Sequence, residues 1–162
     1  MKIEFGSGAN VPKGFVGCDI RDEPGVKFVC PAWEIVDHVP KQSVDRVRSR
    51  HMLEHLTQYD SKRTLRAWHT ILKSDGVGTV IVPDMLFHIK QWTTQRDNPK
   101  AFKWAFAGFW GWQRETGIGE VWDVHKSGYD EKLLTLWLHE AGFSKVSRNK
   151  TEPQHLSLDF HI

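Results

Sequence analysis

The chain has 162 residues, 40% hydrophobic and 26% charged, with a net charge of +2. These are the figures of one ordinary soluble globule with a single core, and the charge is too mild to argue for nucleic acid as a partner. Nothing approaches a transmembrane run, the start lacks the apolar core of a signal peptide, and two cysteines, Cys18 and Cys30, make no disulfide framework. A cytoplasmic location is the expectation.

The first segment, Lys2-Ile3-Glu4-Phe5-Gly6-Ser7-Gly8-Ala9-Asn10, reads as a short strand and a glycine turn. A second strand follows over Phe15–Asp19 and ends on a carboxylate. Two glycines one residue apart let the backbone pass close to a ligand, where any Cβ would collide. An acid at the tip of the neighbouring strand can accept from both hydroxyls of a ribose. The dinucleotide fingerprint requires a third glycine and a later acid. Here the third position is Val11, and Asp19 arrives thirteen residues after Gly6. A nicotinamide or flavin is disfavoured, and a nucleoside with a short zwitterionic tail fits better.

A third strand is expected over Val26–Cys30 and a fourth over Val44–Ser49. Tyr59-Asp60-Ser61 offers an N-cap to a helix carrying Leu65, Trp68 and Leu72, closed by Ser74-Asp75-Gly76 as a C-cap. Val77–Val82 is the best strand, rich in β-branched residues and closed by Pro83. Helices follow over Met85 to about Gln95, from Asn98-Pro99 through Trp110, and from Asp130 to Gly142, with a glycine-containing loop through Gly119 between the last two. Strands near Lys145–Arg148 and His155–Ile162 end the chain, the latter alternating as a half-covered edge would. The expected fold is a mostly parallel α/β layer structure.

FGSGAN, VGCDI, VDRVRSRHMLEHL and LRAWHTILKSDGVGTVIVPD, in that order, resemble the class I S-adenosylmethionine-dependent methyltransferases. More closely, they are similar to a small predicted subgroup with a GCG-like turn, a Leu-Glu-His after the fourth strand and a Leu-Lys-x-x-Gly before the fifth. HKSGYD and LLTLWLHEAGF match the ending of such chains. The resemblance implies a Rossmann-like, seven-stranded, mainly parallel sheet with an antiparallel last strand, in one domain spanning 1–162. It implies S-adenosyl-L-methionine as cofactor, leaving as S-adenosyl-L-homocysteine. Gly6, Ser7 and Gly8 would line its methionine part, Asp19 would hold the ribose, and His51 would lie beneath sulfonium and ribose. Phe5, Asn10, Ile20, Ala32, Trp33 and Arg50 complete the expected cofactor set. Two departures stand out. The adenine-binding acid after the third strand is replaced by Cys30-Pro31-Ala32-Trp33-Glu34, so that a backbone carbonyl takes over, with Trp33 stacking or Glu34 reaching the ring. The helix between strands one and two is almost absent.

Other residues allow more than one reading. His51-Met52-Leu53-Glu54-His55 fits the H-x-x-E-H pattern of inverted zinc peptidases, in which two histidines on one helix face bind zinc and the glutamate is a base. Capping and orienting the loop after strand four is the plainer role for Glu54 and His55. A cofactor-binding protein that transfers no methyl is a further alternative. Eight tryptophans are present, five of them between Trp92 and Trp122. This acceptor-side insertion at about 85–128 reads as core, as a lid over the acceptor, or as a face for a membrane or a second copy. Arg46, Arg48, Arg50, Lys62, Arg63 and Arg66 are interspersed with acids and read as a solvated mixed surface. If the acceptor is a hydroxyl or amine, His125, His88 and Asp84 are the candidate bases, with Asp84 equally suited to N-capping. A small molecule or a saccharide hydroxyl is the expected acceptor.

Overall fold

The computed structural model describes residues 1–112 and 123–162. Seven strands, β1 (Lys2–Phe5), β2 (Val16–Asp19), β3 (Val26–Val29), β4 (Val44–Arg50), β5 (Leu72–Pro83), β6 (Lys145–Arg148) and β7 (His155–His161), form one sheet in the order β3-β2-β1-β4-β5-β7-β6. β1 to β5 pair in parallel, and β7 runs antiparallel between β5 and β6. Among the described residues four α-helices accompany them: α1 (Gln58–Ile71), α2 (Met85–Thr94), α3 (Pro99–Trp110) and α4 (Glu131–Ala141). This is the fold class expected from the sequence.

One sheet face is apolar because the alternation in each strand puts Ile3 and Phe5, Val47, Val80 and Val82, and Leu156, Leu158 and Phe160 on the same side, all buried. α1 and α4 press Leu65, Trp68, Leu134 and Leu138 into that core. Trp68 lies between Phe5, 5.2 Å away, and Phe160, 6.1 Å away and stacked. The strand order fixes which face this is. β1 to β2 to β3 steps one way across the sheet and β4 to β5 the other, so right-handed connections fall on opposite faces. α1 covers its face, whereas the links from β1 to β2 and from β2 to β3 hold no helix. The face they leave open is polar. Lys2, Glu4, Arg46, Arg48, Thr79 and Asp159 share it by register. Arg48 donates to Glu4 at 3.0 Å and Thr79 to Asp159 at 2.6 Å. Lys62–Glu140 and Arg63–Asp60 are also paired, so of the six basic residues Arg48, Lys62 and Arg63 meet an acid.

Three local expectations need correction. α1 is capped by Thr57, whose Oγ1 accepts the Asp60 amide, rather than by Tyr59-Asp60-Ser61. It stops at Ile71 because Leu72 is already extended (ψ 141°), so Gly76 caps nothing. Gly76 instead belongs to a bulge at the start of β5, where Val44 faces Leu72 but Arg46 faces Val77. β7 is an inner strand, and β6 holds the edge. The remaining punctuation is as read: Asp84, Asn98 and Asp130 cap α2, α3 and α4, and Gly142 ends α4 at φ 110°. The loop through Gly119, with Trp122, lies outside the described residues.

Candidate active site

The carboxyl ends of β1, β2 and β4 meet at a cavity of about 240 Å³. Gly6 and Gly8 turn the chain out of β1 at φ 67° and 48°, a region open to glycine. A Cβ on Gly6 would lie 2.4 Å from Cβ of Met52, and one on Gly8 would lie 2.9 Å from an Arg21 guanidinium nitrogen. The atoms that require glycine here therefore belong to the chain itself. Asp19, 7% exposed, ends β2 with Oδ2 accepting the Gly8 amide (2.8 Å) and Oδ1 accepting the Arg21 amide (3.0 Å) and Nε (3.4 Å). Trp33 lies at the start of the short 3-10 turn Ala32–Asp37 and lines the cavity, with Arg63 over its ring.

His51 follows β4 with φ 51°, an uncommon conformation for a side-chain-bearing residue. Residues 51–55 are not an α-helix: Leu53–His55 is a single 3-10 turn, which corrects the helix-face zinc arrangement of His51 and His55. Glu54 is 1% exposed; its Oε1 lies 3.0 Å from His51 Nδ1, and its Oε2 has no partner among the described residues. Its backbone carbonyl accepts the amides of Lys126 (2.8 Å) and Ser127 (3.1 Å). The buried Tyr129 hydroxyl joins Ser61, Ser127 and the Leu53 carbonyl. The Leu-Glu-His and His-Lys-Ser-Gly-Tyr segments are thus bolted together, and His55 donates to the Val124 carbonyl at 3.3 Å.

Beyond His51 opens a second cavity, of about 360 Å³. Five histidines line it: His51, His55, His88, His125 and His155, with Glu54 among them. Trp104 and Trp112 form part of its wall, so the aromatic insertion reaches the site. Among the described residues of that segment, the half-buried Trp92 packs on Phe102 at 4.4 Å and on Phe109 at 5.6 Å, while Phe106 and Trp110 stay exposed. His88 and His125 meet at Gly108, whose carbonyl accepts His125 Nδ1–H at 3.0 Å and whose Cα abuts the His88 ring. Burial pushes the pKa of His88, His125 and His155 below the ordinary histidine value. Asp84 is elsewhere. Its carboxylate caps α2 and meets Arg148 at 2.8 Å, in a groove against α4.

Of the residues expected around the cofactor, Gly6, Asp19, Ile20, Ala32, Trp33 and His51 line the first cavity. The others do not. Phe5 is core, Ser7 points at Gly17, Gly8 holds Asp19 through its amide, Asn10 is exposed on the turn, and Arg50 is exposed at the end of β4. Glu34 is exposed and accepts from Trp33 Nε1 (3.3 Å) instead of entering the cavity. Sequence reasoning missed Arg21, Met52, Lys126 and Asp123 in the first cavity and His155 in the second. Only Arg21 had a sequence signal, a cation two residues from Asp19. Cys18 and Cys30 are buried free thiols with Sγ atoms 3.9 Å apart, both pushed up in pKa by burial.

No protein-family model and no curated protein matches the chain. Solved structures do. A SAM-dependent methyltransferase from Archaeoglobus fulgidus superposes with a TM-score of 0.66 at 13% identity, over 99% of this chain and 85% of that one. A Thermotoga maritima SAM-dependent methyltransferase, a possible histamine N-methyltransferase, gives 0.64 at 13% over 99% and 81%. The Burkholderia thailandensis 1,6-didemethyltoxoflavin-N1-methyltransferase, solved with its acceptor and S-adenosylhomocysteine, gives 0.61 at 15% over 99% and 69%. At such identities the likeness establishes the fold, and it is that of the class I S-adenosylmethionine-dependent methyltransferases. Among the described residues no helix is long and apolar enough to cross a membrane.

Proposed function

We propose that this chain is an S-adenosylmethionine-dependent methyltransferase acting on a small-molecule or saccharide hydroxyl. The observation that carries this reading is the pair of adjoining cavities, one at the Gly6–Asp19 crevice and one lined by histidines. His51, His55 and Asp123 line both. A donor in the first and an acceptor in the second would therefore share those three residues as neighbours.

The residues present fit the cofactor. Asp19 accepts three hydrogen bonds within the fold; a carboxylate has about four acceptor positions, so one is left for a ribose hydroxyl. Trp33 offers a ring face for adenine. When bound, S-adenosylmethionine supplies a methyl group on a sulfonium whose sulfur is an excellent leaving group. The protein's own share is then mainly placement and exclusion of water. Trp104 and Trp112 supply an apolar wall on the acceptor side, the role proposed for the insertion at 85–128. His88, which lines that cavity and whose pKa burial lowers, is the base we propose for an acceptor hydroxyl. Asp84, tied to Arg148 and the α2 amides, is left to hold the fold.

Calorimetric titration with S-adenosylhomocysteine tests the reading. One site per chain is expected, lost in Asp19→Ala and retained in the presence of a chelator. Absence of binding, or binding indifferent to both Asp19→Ala and Trp33→Ala, overturns it. A screen of hydroxyl-bearing acceptors with methyl-labelled cofactor would then identify the substrate.

A further inference from the structure

Glu54, His55 and His125 each bring one ligand-type atom to a common point, all within 4.8 Å of one another. His125 comes from the loop before α4, far along the chain from the turn after β4. The surroundings prepare these atoms in two ways. Both imidazoles donate Nδ1–H to backbone carbonyls, His125 to Gly108 (3.0 Å) and His55 to Val124 (3.3 Å). That choice of tautomer leaves each Nε2 with a free lone pair, the arrangement found behind metal-ligating histidines. Glu54 is the second observation. It is 1% exposed, His51 occupies its Oε1, and its Oε2 is buried without a partner among the described residues. A buried carboxylate oxygen left without a partner is costly.

We propose that Glu54, His55 and His125 bind a divalent transition metal ion, zinc by donor type, in the wall of the histidine-lined cavity. Two imidazoles and one carboxylate suit zinc, whereas magnesium and calcium favour all-oxygen sets. Three protein ligands leave a coordination position open to the cavity bounded by Trp104 and Trp112. The site is not the sequential H-x-x-E-H arrangement. His51 stands behind Glu54 and orients it, and His125 supplies the ligand that no short motif contains. Its catalytic consequence rests on the methyltransferase reading. A hydroxyl bound at the open position would be acidified by the ion, and His88, which lines the same cavity, would take its proton.

The test uses chelator-stripped full-length protein, titrated with zinc chloride against a chromophoric competitor and, separately, with S-adenosylhomocysteine. One zinc per chain is expected, weakened by more than about 100-fold in His125→Ala and in Glu54→Gln, since outer partners alone are worth about 10–100-fold. Cobalt substitution should give a low-symmetry visible band that His125→Ala abolishes. S-adenosylhomocysteine affinity should stay within about twofold in His125→Ala, which also reports folding. If Glu54→Gln does not fold, His55→Ala and His125→Ala, both on partly exposed residues, carry the test. No saturable zinc uptake, or uptake lost in His51→Ala but intact in His125→Ala, overturns the site. Zinc bound without any S-adenosylhomocysteine binding leaves the metal site standing and removes the methyltransferase reading instead.

Discussion

The ring of His88 fills the space any side chain on Gly108 would need, since a Cβ built there would lie 2.4 Å from its Cγ. Gly108 is inside α3, where alanine is ordinarily favoured over glycine by about 1 kcal/mol. Here the sign should reverse. Gly108→Ala must push aside a buried ring, and overpacking of that kind costs about 1–3 kcal/mol. A lower urea midpoint with an unchanged m-value is the expected result, and a stabilised variant would show that the ring moves freely.

Stability should decline in mild acid. His88, His125 and His155 are each held below the ordinary histidine pKa, with burial the largest cause. A histidine whose folded pKa is depressed binds its proton more readily in the unfolded chain. Its contribution is therefore whole above about pH 6.5 and is lost as pH falls toward the folded value. The urea midpoint, measured in chelator, should drop between pH 7 and 5, ahead of ordinary carboxylate titration, and His88→Leu should flatten that drop. A midpoint constant over this range would contradict the assignment.

Much of this was legible in the sequence, for identifiable reasons. Strands bounded by Gly and Pro, and helices opened by Asp84, Asn98 and Asp130, are fixed by local chemistry, and they formed where expected. The errors arose where a distant partner decides. Gly76 resembled a helix stop, but pairing of β5 with β4 draws the chain into extended form four residues earlier. The histidines at 51 and 55 looked helical in spacing, yet the backbone carbonyl of Glu54 is taken up by Lys126 and Ser127 from far along the chain. The glycine turn was read as room for a ligand, whereas the atoms a Cβ would meet there are those of Met52 and Arg21. No spacing rule places His125 beside Glu54.

Removing either member of the Glu4–Arg48 pair should have unequal effects. Glu4 is 5% exposed at its side chain and Arg48 28%. Burial raises the Glu4 pKa, and Arg48 opposes that shift. Arg48→Ala leaves a buried carboxylate alone, which costs about 3 kcal/mol when a buried pair is broken. Glu4→Gln leaves a guanidinium that can turn to water, and should change stability by under about 1 kcal/mol. Equal losses in thermal or urea unfolding would refute this asymmetry.

On the proposed function, Trp33→Ala should weaken S-adenosylhomocysteine binding by about tenfold, the scale of one lost aromatic stack. Trp33→Phe should recover most of that affinity. Trp92→Ala, remote from the cavity and packed on Phe102, serves as the comparison and should leave it unchanged. Equal weakening by the two alanine variants would mean that Trp33 acts through the fold.

The stretch from Gly6 to Phe15 carries no helix, so the rim of the first cavity on that side is plain loop. A nucleoside lying there would be held by the wall behind it and not by enclosure. On that side, the contacts a spent donor makes with Asp19 and Trp33 would then set how long it stays.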